Sequence, residues 1–169
     1  MNVAEGPCEI LAQTWAEEVR RQLARVQAIR EDFDSCMSRV ELDDRAAPPP
    51  EQLDAIARRL WAIQHQLVWS AHQLERWSRR LALERGNLAP PQDQVLANLR
   101  NALEHLDEAD FDDEAHVTAG PHRGNRSLRA LPGAELSLGP GSELLFELID
   151  PADLEQRALA VIEAAEATC

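Results

Sequence analysis

The densest set of chemically useful side chains is the string Leu99, Arg100, Asn101, Ala102, Leu103, Glu104, His105, Leu106, Asp107, Glu108. It places a permanently charged bidentate donor and an amide ahead of a carboxylate and of an imidazole that titrates near neutral pH. On a helix, Asn101, His105 and Glu108 step by four and three and share a face, while Arg100 and Glu104 form an i, i+4 pair on the neighbouring one. Arg100 and His105 are five residues apart, about 140° around an ideal helix. They converge on one small group only if Arg100 reaches round, the helix distorts, or two subunits contribute.

A second set lies on one face of a long helical stretch. At about 100° per residue, Arg58, Trp61, His65, Trp69, His72 and Arg76 fall together, away from an aliphatic stripe. Two tryptophans in a row are usually buried against something. Either another helix of the same subunit covers this face, or it is a dimer seam, where Trp and Arg are enriched. His65 and His72 are seven residues apart, whereas metal-binding pairs on helices usually use a spacing of three or four. The acidic run Asp107, Glu108, Asp110, Asp112, Asp113, Glu114, with His116, lacks the glycine and the spaced final Glu of an EF-hand loop, and reads as solvated. No glycine-rich phosphate loop follows a strand, and no nucleophile elbow is recognisable. No metal or cofactor is expected.

The elements that must position these residues follow from hydrophobic spacing. Trp15, Val19, Leu23, Val26, Ile29, Phe33, Met37 and Val40 recur in steps of three and four, which predicts a first helix over Cys8 to Val40. Pro48 to Pro50 suit the first turn of a second helix, whose stripe runs from Leu53 to Leu81 and stops at Gly86 and Asn87. Pro90 and Pro91 are read as opening a third, with Val95, Leu99, Ala102, Leu103 and Leu106 inward. Asp107 to Gly133 loses periodicity and is expected mostly as exposed loop. Leu136 and Leu138 alternate with polar residues, Gly139, Pro140 and Gly141 supply a turn, and Leu144 to Ile149 reads as the returning strand of a hairpin. Asp150 and Pro151 start a last helix lined by Leu154, Ala158, Val161, Ile162 and Ala165. The expectation is an all-α fold: a bundle of about four main helices, two of them long and antiparallel, with a small β-hairpin before the C-terminal helix. Residues 1–108 form the helical core, 109–133 an acidic, flexible loop, and 134–169 a hairpin and helix packed on the same domain.

The chain has 169 residues, 44% hydrophobic and 28% charged, which excludes wholly disordered and collagen-like classes. Cys8, Cys36 and Cys169 are far apart and odd in number, so reduced thiols are expected. No apolar run of membrane-spanning length occurs, and the N-terminus has no basic region ahead of an apolar core, so a cytoplasmic location is expected. The net charge of -13 disfavours a general nucleic-acid coat. It is unevenly spread: residues 107–169 hold 4 Arg against 14 acids, whereas Arg58 to Arg100 holds seven Arg against three acids. An anionic partner would meet that second stretch first. All 17 basic residues are Arg.

An Arg followed by a polar Asn, three residues and a His, late in a helix preceded by two long helices, resembles the HEPN superfamily (higher eukaryotes and prokaryotes nucleotide-binding). Arg100, Asn101 and His105 match that motif, and the likeness extends at most over residues 8–108. The resemblance implies an all-helical homodimer that brings two motif copies together. It often implies metal-independent RNA cleavage, of a bacterial defence or toxin–antitoxin type, with RNA as substrate and a cognate antitoxin as protein partner. In that chemistry His105 would handle the 2′-hydroxyl proton, Arg100 would stabilise the phosphate, and Asn101 would orient it. Many members bind or scaffold without nuclease activity. The alternative expectation is therefore a non-catalytic dimeric interaction protein, docking through the Trp61, His65, Trp69, His72 and Arg76 face.

Overall fold

The structure is a computed structural model that describes residues 6–111, 116–119, 126–140 and 142–166. Two 35-residue helices dominate it: α1, Pro7–Glu41, and α2, Pro50–Glu84. They pack along each other as an antiparallel pair, sealed by Val19, Val26, Leu60, Leu67 and Leu74, each almost fully buried. The second ends in the turn that its sequence suggests. Gly86 takes φ +73°, its N–H reaches the Leu83 carbonyl, and the Asn87 N–H reaches Ala82, a double bond that closes the open carbonyls of α2. Asp43, at φ +50°, plays the same part after α1, Asp being one of the few side chains that tolerates this conformation.

The third helix, α3, spans Gln94–Glu104, so Pro90 and Pro91 precede it rather than open it. The start belongs to Asp93, whose carboxylate accepts the Leu96 N–H at 3.0 Å. A capping carboxylate satisfies a donor that a proline merely omits, and the helix begins where that happens. Leu96, Leu99, Ala102 and Leu103 are buried as expected, and α3 lies against α2.

Beyond α3 the expectation of exposed loop is corrected. A single 3-10 turn, Leu106–Glu108, leads into strand β1, Asp110–Phe111, and β2, His116–Thr118; a short helix, α4, covers Arg126–Arg129, and strand β3 is Glu135–Ser137. Val117 and Leu128 are completely buried in this stretch and Leu131 nearly so. Single apolar residues spaced among charges carry no period, and that is why periodicity misses them. Asp112, Asp113 and Glu114 of the acidic run, Gly141 of the expected turn, and Cys169 lie outside the described residues.

A small antiparallel β element does precede the last helix, in strand order β1-β2-β3, but its pairing differs from the expected hairpin. Leu136 of β3 pairs with Val117 of β2, upstream, and not with Leu144 to Ile149. That second segment makes one isolated bridge, Leu145 to Ile149, around Phe146 and Glu147, both at positive φ. Its apolar residues run together instead of alternating, so no strand could face them all inward; the tight turn buries Leu145, Phe146 and Ile149 at once. Helix α5, Pro151–Glu166, follows, with the Asp150 carboxylate accepting the Ala152 N–H at 2.8 Å. It packs along α1, and Arg30 of α1 donates to the Glu143 carbonyl at 2.5 Å, tying the preceding turn to the bundle. Among the described residues no helix is long and apolar enough to cross a membrane.

Candidate functional site on the second and third helices

Helix α3 is held by its first residue. Asp93 caps it, donates its backbone N–H to Glu75 Oε1 at 2.7 Å, and pairs through its carboxylate with Arg157 of α5 at 2.8 Å, so α2, α3 and α5 meet at one residue. These partners keep the Asp93 carboxyl below its usual range against the opposing effect of burial.

Two turns on, Arg100 points at α2. Its guanidinium carbon sits 4.6 Å from the centroid of Trp69, a cation–π arrangement. Its Nη1 donates to Asn101 Oδ1 at 2.8 Å and pairs with Glu104 Oε2 at 2.5 Å. Only about a fifth of the Arg100 side chain is exposed, and its Nε is buried without a partner among the described residues. The expected Arg100–Glu104 pair is therefore present, and Asn101 is joined to it. The charge of Arg100 is thus already matched, and a phosphate would have to displace Glu104 to take its place.

His105 stands elsewhere on the same turn. It is the residue that ends α3, with φ -113° and ψ 30°, so the ideal helical angle between it and Arg100 does not apply. Its ring is 59% exposed, and Nδ1 lies 3.3 Å from Glu108 Oε1, the neighbour expected from their spacing of three. The structure thus gathers Arg100, Asn101 and Glu104 against α2, and His105 with Glu108 at the open end of the helix.

The face of α2 named from its sequence divides into two sites. Trp61, His65 and Trp69 line an open groove of about 670 Å3, whose other wall is Thr14, Trp15, Glu18 and Gln22 of α1. The Trp61 and His65 rings meet edge to face at 5.5 Å. Trp69 is exposed enough to form part of the surface. Charges on the rim are matched locally: Glu18 pairs with Arg21 and Arg100 with Glu104. Burial pushes His65 below its ordinary value, against a smaller opposing pull from Glu104, which favours the neutral ring. His72 and Arg76 belong instead to a smaller polar pocket with Glu75, Arg79 and Gln92. Arg58 is exposed, one turn before Trp61.

Trp15 was legible only as part of the α1 core stripe; its role as a groove wall depends on how α1 is rotated against α2, which spacing along one helix does not encode. Arg79, Glu75 and Gln92 gave no signal as a set, because Gln92 comes from the connection between helices. Among the described residues no group of three or more His, Cys, Asp or Glu converges as a metal would need. Comparisons with known protein families, curated proteins and solved structures give no match to this chain.

Proposed function

We propose that this chain is a self-associating helical module whose tryptophan groove between α1 and α2 receives a second copy, and that it works as an interaction protein without chemistry at Arg100. The observation that carries this reading is the open groove itself, walled by Trp15, Trp61 and Trp69 from two helices. From Trp61 to Ser70 it follows about 13 Å of α2, some two and a half turns. That is the size of opening that takes the apolar face of another helix.

Charge favours a second copy over RNA. The chain carries -13, so two copies repel unless they meet where the local charge is neutral or basic. The groove is such a place: its arginines are paired and burial favours the neutral His65 ring. Within the groove itself the same pairing leaves little free positive charge for a phosphate backbone, which binds by cation neutralisation. In an isologous contact the Trp69 rings and the Arg100 residues beneath them would occupy the centre, where aromatic and Arg anchors contribute most.

Sedimentation or light scattering at micromolar concentration tests this. The native protein is expected to be a dimer and Trp69→Glu a monomer with the same far-ultraviolet circular dichroism; a monomeric native protein ends the proposal. The second reading, a metal-independent ribonuclease of the HEPN type, is favoured by one feature, the exposed His105 beside Glu108 at the end of the helix that carries Arg100. For it, His105→Ala is expected to lower RNA cleavage by the pure protein at least a hundredfold. Unchanged cleavage in both His105→Ala and Arg100→Ala removes it.

A further inference from the structure

Four arginines in or next to α2, α3 and α5 have carboxylate partners. Arg80 pairs with Glu84 at 3.1 Å, Arg85 with Glu9 at 2.7 Å, Arg100 with Glu104 at 2.5 Å, and Arg157 with Asp93 at 2.8 Å. Arg76 and Arg79 have none within ion-pair distance among the described residues, although the chain has 30 acids to 17 arginines. Both line one pocket of about 320 Å3 with His72, Gln92 and Glu75. His72, Arg76 and Arg79 step by four and three, which aligns them on one side of α2. Arg79 is held in place by its bond to the Pro90 carbonyl, so part of the ordering that binding requires is already done.

We infer that this pocket is a binding site for a small phosphate monoester, its oxyanion held by Arg76 and Arg79, with His72 and the Gln92 amide as further donors. Arginine's planar fork suits a phosphate better than any other side chain. The volume equals roughly ten waters at about 30 Å3 each, more than a bare oxyanion fills, which leaves room for the organic group. Burial, with Arg100 and Arg76 adding to it, lowers the ordinary basicity of His72, while Glu104 opposes them. A bound dianion would reverse that sign. Glu75 is the unfavourable member: Oε1 accepts the Asp93 N–H, burial raises its carboxyl while the charges of Arg79 and Arg157 oppose this, and it both repels an anion and competes with it for Arg79.

The full chain is titrated by calorimetry with inorganic phosphate, sulfate and ribose 5-phosphate, while the His72 ring is followed by NMR. Ribose 5-phosphate is expected to bind at least as tightly as phosphate, and saturating sulfate, which does not itself titrate in this range, should raise the His72 pKa. Arg76→Gln, a change at an exposed residue with no side-chain hydrogen bond or ion pair among the described residues, should weaken binding at least about tenfold. Glu75→Gln should strengthen it about threefold. Unchanged affinity in Arg76→Gln, or a His72 ring that does not respond, overturns the site. Exclusion of the sugar phosphate while phosphate binds overturns the monoester assignment. So does single-stranded RNA that binds far more tightly than phosphate and is lost in Arg76→Gln.

Discussion

At the scale of single residues, the electrostatics of α2 are set by what α3 delivers. Arg100 is one helix away from His72 and Trp69 in sequence but beside both in space. His65 and His72 both hold protons less readily than the free side chain, burial being the main cause for each. The folded state therefore binds fewer protons than the unfolded chain just below about pH 6.5. Their contribution is fully present above that pH and is lost as pH falls through the window toward their depressed values. Urea midpoints are expected to fall between about pH 7.5 and about pH 5.5, and the His65→Gln, His72→Gln double variant should show a shallower decline. An equal decline in native and variant proteins would show that other groups govern it.

At the scale of elements, the notable feature is how much structure a low-period sequence supports. The segment between α3 and α5 adds a three-stranded sheet and a short helix, all anchored by isolated apolar residues. Leu128 of α4 is fully buried in the common core beside Val117, Leu136 and Leu145. Leu128→Ala is expected to cost about 2 to 5 kcal/mol, the range for truncating a buried leucine. Thermal unfolding measures it, and a loss under about 0.5 kcal/mol, typical of surface positions, would mean that the segment does not share the core. The Asp93 junction shows the complementary case, where one polar residue joins three helices, its carboxylate bonding α3 and α5 and its backbone N–H bonding Glu75 of α2.

At the scale of the whole molecule, the charge is unevenly spread. Residues 107–169 concentrate the acids, and the Arg58 to Arg100 stretch offers the basic counterpart. The self-association proposed through the tryptophan groove would rest mainly on apolar area, because the Glu18 and Arg100 charges at its rim are internally paired. Its dissociation constant is therefore expected to change less than about threefold between about 0.05 and 0.5 M salt, since screening acts on unpaired exposed charge. A steep salt dependence in analytical ultracentrifugation would place the contact on the free arginines instead.

Spacing along the chain was sufficient for most of what helical neighbours within about one turn govern, although not for the Asp93 cap or the turn from Leu145 to Ile149. The two long helices, the Gly86 stop, the Asp150 start, the Arg100–Glu104 pair and the His105–Glu108 pair are all local, because helix geometry converts a spacing of three or four into contact. Tertiary packing alone decided the rest. The partner of β3, the burial of Val117 and Leu128, the meeting of Trp15 with Trp61 and Trp69, and the pocket that joins Gln92 to Arg76 and Arg79 each unite residues far apart in sequence. Such contacts depend on the rotation and offset of whole elements, which are set by the summed fit of many side chains in a close-packed core and leave no periodic trace in the chain.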